Sequence, residues 1–163
     1  MRLRSGIVPS VPSLELKVPP VLLAAVAVLA MWGAAAAWPC AGLPVPGKGV
    51  LSALFVALGA AVALAGVVAF RAHRTTLNPT RPGAASSVVR DGVYRHTRNP
   101  MYLGLALGLA GWGVYLANAA SLAVLPAFVA YLNRFQIEPE ERALLARFGA
   151  EFADYMAAVR RWV

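Results

Sequence analysis

The sequence predicts an all-α fold: an integral membrane helical bundle of about four spanning helices, with a C-terminal helical hairpin and a cytoplasmic interfacial amphipathic helix beyond it. Three observations carry that prediction. Apolar residues make up 60% of the chain and charged residues 13%, far from the balance of a soluble domain. The apolar residues fall into blocks long enough to cross a hydrocarbon core, which takes about 20 residues of helix. The charge is also partitioned, since of 15 basic residues all but Lys48 lie at the N-terminus, between 71 and 98, or after Tyr131. Those segments share one side if four helices cross, and the positive-inside rule makes that side cytoplasmic, both termini included. The net charge of +8 is thereby explained by orientation in a bilayer, and no nucleic-acid partner is expected.

Residues 1–17 hold Pro9, Pro12 and mixed charge without sustained periodicity. They read as a tail ahead of a single membrane domain, 18–163. The first span covers about 19–38. Arg2, Arg4 and Lys17 before an apolar run suggest a cleaved signal peptide, but Val18 to Trp38 exceeds the usual h-region and Trp38-Pro39 before Cys40 does not fit lipoprotein processing. A retained span is expected. Pro39, Gly42, Pro44, Pro46, Gly47 and Gly49 then crowd into a turn, and Lys48 is its only charge.

The second span, about 50–70, is uncharged and stops at Arg71-Ala72-His73-Arg74. The connection that follows, 75–99, is too long and polar to be only a turn. From Met101 to Leu132 the chain is almost free of charge, and at 1.5 Å per residue a helix of that length, about 48 Å, is too long for one crossing. Two helices, about 100–117 and 121–137, resolve this by turning at the polar break Asn118–Ser121, with Pro126 kinking the second. Gly104 and Gly108 share a face and suit close packing. Beyond Glu138, Leu144, Leu145, Phe148, Phe152, Tyr155, Met156 and Val159 recur at three-to-four spacing, as an interfacial helix requires. The single cysteine, Cys40, excludes an intramolecular disulfide and makes a cysteine-rich metal site unexpected.

Two segments stand out chemically: Gly92-Val93-Tyr94-Arg95-His96-Thr97-Arg98-Asn99-Pro100-Met101-Tyr102-Leu103-Gly104 and Ile137-Glu138-Pro139-Glu140-Glu141. Each sits where a span meets the cytoplasmic interface. The hairpin between them folds back, so Arg98 and Glu141 emerge on one side as potential neighbours, and ionisable groups at membrane ends tend to pair or bind. A bland reading competes with this one. Arginines orient the chain and hold anionic head groups, glutamates complement a helix dipole, and Tyr94, Tyr102 and Trp162 anchor at the interface.

The first string resembles the signature of isoprenylcysteine carboxyl methyltransferases and their prokaryotic relatives: Gly-x-Tyr, a spacer, Arg-His-Pro or Arg-Asn-Pro, then x-Tyr-x-Gly. Two further elements agree in order. Thr75-Thr76-Leu77-Asn78-Pro79 is similar to the Thr-x-x-Asn-Pro element upstream, and Glu140-Glu141, Leu144, Phe148-Gly149, Phe152 and Tyr155, with Val159 to Trp162, resemble the closing pattern ending in Val-x-Arg-Trp. The likeness covers about 70–163. It departs at Asn99, where His is commoner but Asn occurs in prokaryotic relatives and phosphatidylethanolamine N-methyltransferases, and at Phe152, where Tyr is usual.

The resemblance implies an S-adenosylmethionine-dependent methyltransferase with its cofactor region at about 75–163, closed by the C-terminal segment. A lipophilic acceptor would arrive from the bilayer, in a bacterial or archaeal cell membrane. Arg98 and Glu141 are the expected catalytic residues. Arg95, His96, Asn99, Pro100, Tyr102, Glu140 and Glu141 are the expected cofactor ligands. Carboxylates suit the cofactor's ammonium and ribose hydroxyls, a guanidinium suits its carboxylate or an acidic acceptor, and no metal is expected. A carboxylate acceptor is the leading expectation, beside three rivals: a phospholipid or amine N-methyltransferase, a membrane reductase of the sterol reductase type, and a non-catalytic membrane protein.

Overall fold

Proline opens the first helix, α1 (Pro20–Ala37), within its first turn, where a missing N–H leaves nothing unsatisfied. The computed structural model describes residues 15–73 and 87–163. Among these the regular structure is helical, apart from an isolated antiparallel bridge between Gly42 and Asn118. A 3₁₀ turn (Pro39–Ala41) and the left-handed Gly47 lead into α2 (Lys48–Ala72). Both α1 and α2 are long and apolar enough to cross a membrane. Their outer faces leave Val21, Leu29, Leu54, Leu64 and Val68 largely exposed. Apolar surface on that scale needs a lipid environment or a partner to cover it.

A third helix, α3 (Pro100–Leu116), returns against α2, with Gly66 beside Pro100, Gly59 beside Gly104 and Gly111 beside Ser52. The two helices run antiparallel at backbone contact. A Cβ on Gly104 would lie 2.5 Å from the Gly59 carbonyl oxygen, so only glycine permits this approach.

The turn after α3 falls at the predicted polar break. Ala117 adopts a left-handed conformation, φ 49°, and Asn118 caps the short α4 (Ala119–Leu122) by accepting from the Ala120 and Ser121 N–H groups. Its Nδ2 donates to the Trp38 carbonyl at 2.8 Å. Helix then continues through α5 (Val124–Tyr131), a π-helical stretch (Leu132–Ile137) and α6 (Glu138–Phe148).

This assembly differs from the sequence expectation in three respects. The helix predicted over 121–137 does not end there, since helical structure runs on through the π-helical stretch into the charged α6 as far as Phe148; Pro139 lies just beyond that stretch, where the regular hydrogen-bond ladder is already interrupted. The irregularity near Pro126 falls at Ala123, because the proline ring cannot donate to the Leu122 carbonyl one turn back. The amphipathic segment is two helices, since Gly149, at φ 54°, separates α6 from α7 (Ala150–Ala158). The expected apolar face forms except at Leu145, which is exposed: Phe152 and Tyr155 are buried with Val89 and Tyr94, and Leu144, Phe148, Met156 and Val159 pack around them. A separate core joins α1, α3 and α5 through Ala27, Met31, Tyr102, Leu109, Phe128, Leu132 and Ile137.

Candidate active site

Three chain segments meet at the end of the bundle where α3 begins: the run from Thr97 to Tyr102, the first turn of α6, and the strap after α7. Proline at the first position of α3 keeps Asn99 out of the helical conformation, so Arg98 and Asn99 leave the helix toward α6 and α7. The acids of α6 all fall in its first turn, directly after the π-helical stretch.

Arg98 Nη2 lies 2.8 Å from Glu141 Oε1, and Nη1 donates to the Met156 carbonyl at 2.9 Å. Both partners of the ion pair are mostly buried, with side chains 12% and 13% exposed, so each must be matched closely to offset its lost hydration. Arg161 completes the group from the strap, its Nη2 2.6 Å from Glu141 Oε2 and its Nε 3.3 Å from Oε1. Its Nη1 stands 3.8 Å from Glu138. Beside this triad, Glu140 Oε1 accepts from Tyr102 Oη at 2.5 Å and from Gln136 Nε2 at 2.6 Å.

The strap is sewn down through backbone as well. Arg98 N–H donates to the Arg160 carbonyl, and Asn99 Nδ2 and Thr97 Oγ1 donate to the Arg161 carbonyl. Trp162 Nε1 donates to Asn133 Oδ1 at 2.9 Å. Beneath it, Tyr155 Oη donates to the Tyr94 carbonyl at 2.8 Å. Burial pushes the Tyr155 phenol up to about 12 despite the opposing charges of Arg98 and Arg90. Burial also raises Tyr94, with Tyr155 and Glu140 adding to it, so both phenols stay neutral donors at any physiological pH.

The residues singled out in the sequence therefore divide. Arg98, Asn99 and Glu141 are joined through Arg161, Tyr102 and Glu140 form a second network with Gln136 on the neighbouring turn, and buried Pro100 starts α3 between Asn99 and Tyr102. Arg95 and His96 are exposed and stand outside both networks, because the 3₁₀ turn Gly92–Arg95 aims Tyr94 inward and its neighbours out. The Thr75–Pro79 element lies outside the described residues. Sequence reasoning passed over Thr97, Gln136 and Arg161. Gln136 was detectable as a polar residue inside an apolar run, which membranes tolerate only for a reason, and Arg161 as the arginine of the terminal Val-x-Arg-Trp element. Among the described residues no cluster of His, Cys, Asp and Glu could hold a metal ion.

Helices long and apolar enough to cross a membrane, with a mostly buried ionic network at one end of the bundle, are the features of a membrane protein. The phospholipid methyltransferase family model matches residues 48–151, which takes in α2, α3 and all the acids of α6. The chain belongs to that family and is a membrane methyltransferase. An uncharacterized protein of Haemophilus influenzae is 40% identical over 63 residues, covering 39% of this chain and all of that protein. No solved structure matches the chain. Family membership favours neither the reductase nor the non-catalytic alternative.

Proposed function

We propose that this protein transfers a methyl group from S-adenosylmethionine to a small lipid-like acceptor at the cytoplasmic face of a bacterial or archaeal cell membrane, the acceptor group being a carboxylate. One observation supports this reading above the others. Arg98, Glu141 and Arg161 adjoin Tyr102, Glu140 and Gln136 at a single helix end, so carboxylates and guanidinium groups face one another within a few ångströms.

The donor set fits the cofactor. S-adenosylmethionine supplies, when bound, a methyl group already activated on a sulfonium, so the protein's task is binding, orientation and electrostatics. The carboxyl oxygens of Glu141, and those of Glu140 beside it, are acceptors suited to an ammonium and ribose hydroxyls. Arg98 keeps its Nε buried without a partner among the described residues, a donor available to a carboxylate. Asn99, Pro100 and Tyr102 border that position. Arg98 would then align cofactor and acceptor in the water-poor end of the bundle, and alignment alone can lower a bimolecular barrier greatly.

Calorimetric binding of S-adenosylhomocysteine to detergent-purified protein tests this. Micromolar binding is expected in the wild type, with loss in Glu141→Ala and Arg98→Ala; folded wild type that binds nothing would sink the reading. A second reading, methyl transfer to a phospholipid amine, draws support from the family's description. Turnover of both acceptor types by Arg98→Ala separates them: selective loss of the carboxylate acceptor favours the first, and an active amine acceptor untouched by the substitution favours the second.

A further inference from the structure

The strap brings a cation of its own onto Glu141. A carboxylate offers about four lone-pair sites. Arg161 takes two hydrogen bonds and Arg98 one, so the acceptor capacity that the proposed function assigns to the cofactor is already largely used. One position is left, so a cation that makes more than one bond to Glu141 must replace one of these two.

The two arginines are not equivalent. Arg98 is held by a second bond, to the Met156 carbonyl, and its side chain is 12% exposed. The Arg161 side chain is 32% exposed and has Glu138 as an alternative partner at 3.8 Å. Moving Arg161 toward water or Glu138 costs less than moving Arg98, because the Arg161 guanidinium already reaches solvent and has a second carboxylate beside it, whereas moving Arg98 would strand a buried charge. The strap does not depend on the guanidinium either. Its backbone carbonyls at Arg160 and Arg161 accept from Arg98 N–H and Asn99 Nδ2, bonds that any residue at 161 can make.

We propose that Arg161 is an exchangeable latch, the resident cation on Glu141 that the cofactor's ammonium displaces while the strap's backbone stays closed. This rests on the reading of Glu141 as a cofactor ligand. Arg161 thereby acts as a built-in competitor that sets cofactor affinity. It also favours release, because the guanidinium returns to Glu141 as the ammonium leaves.

Calorimetric titration of the full-length protein in detergent with S-adenosylhomocysteine tests the latch, comparing wild type, Arg161→Ala and Arg161→Lys. Hydrogen exchange of the Arg98 amide serves as the readout of strap closure. Arg161→Ala is expected to bind about fivefold tighter, the equivalent of one partly solvated ion pair, with Arg98 protection retained. Arg161→Lys is expected to fall between, since a lysine makes a single-point contact where arginine makes a fork. Unchanged or weaker binding in Arg161→Ala overturns the latch and makes Arg161 a bystander or a ligand. Tighter binding accompanied by lost Arg98 protection also overturns it, since the strap's backbone would then be the barrier. Folded wild type that binds nothing defeats the proposed function itself, and is distinguished from these outcomes by its appearance before any substitution.

Discussion

The two ends of α3 handle buried polar groups in opposite ways. At its C-terminal end one neutral residue, Asn118, 4% exposed, uses its oxygen to cap α4 and its amide to hold the Trp38 carbonyl. At its N-terminal end, about 25 Å away at 1.5 Å per residue, Arg98 and Arg161 share Glu141, with Glu138 at 3.8 Å from Arg161, and the Arg98 Nε has no partner among the described residues. The first end is complete and joins helices. The second carries more charge than joining helices requires, since neutral packing would be at least as stable there, and that excess is the physical argument for a site.

The sharpest way to break this contrast is Glu141→Ala. It leaves the mostly buried Arg98 without its counter-ion, with an expected loss of about 3 kcal/mol of stability and of S-adenosylhomocysteine binding, read by circular dichroism melting in detergent and by calorimetry. A variant that melts like wild type would show that the ionic end is as dispensable as a surface pair.

Between the two ends lies the α2–α3 contact. Gly104→Ala forces a Cβ to within 2.5 Å of the Gly59 carbonyl, and a loss of about 2 kcal/mol follows from overpacking. Gly108→Ala meets nothing within 4 Å and should melt with the wild type. Equal behaviour of the two would refute the backbone contact.

Asn118→Ala is expected to cost about 1 kcal/mol through the lost cap while leaving cofactor affinity unchanged. A change in affinity would mean that the two ends are coupled.

The smallest effect belongs to Glu15, which joins the segment before α1 to Arg134 and Arg142 at 2.8 and 2.7 Å. Its carboxyl is held below the ordinary 4.5, chiefly by the hydrogen bond from Arg134. The pair therefore contributes above the ordinary glutamate range and is lost as pH falls through the depressed value. Glu15→Gln should shift melting slightly at neutral pH and not at all in acid or high salt, so an equal shift in acid would contradict the ion pair.

Much of this architecture was legible in the sequence, for reasons that differ by residue. Uninterrupted apolar blocks mark α1 and α2 because a bilayer leaves no other place for them. Asn118 and Ser121 marked the hairpin turn because polar residues in an otherwise apolar stretch must satisfy their own hydrogen bonds. Arg98 and Glu141 could be placed on one side by counting crossings. The continuation of the helix through 137 to Phe148 was hidden, since Glu138, Glu140 and Glu141 look like the start of a separate helix, and hydropathy does not register a π-helical turn.

What the sequence by itself determined was the class of fold, the polar end of the bundle and the order of the residues that meet there, because apolar length, charge partition and local motif are properties of the chain. What only the tertiary structure decided was membership in the site. Arg95 and Arg98 are three residues apart and chemically identical, yet one faces solvent and the other Glu141. Arg161, 63 residues beyond Arg98, reaches the same carboxylate through a strap that no local pattern orients. Pairing across such separations depends on how helices pack, and in this molecule that is set by glycine contacts such as Gly59 with Gly104, far from the charges they bring together.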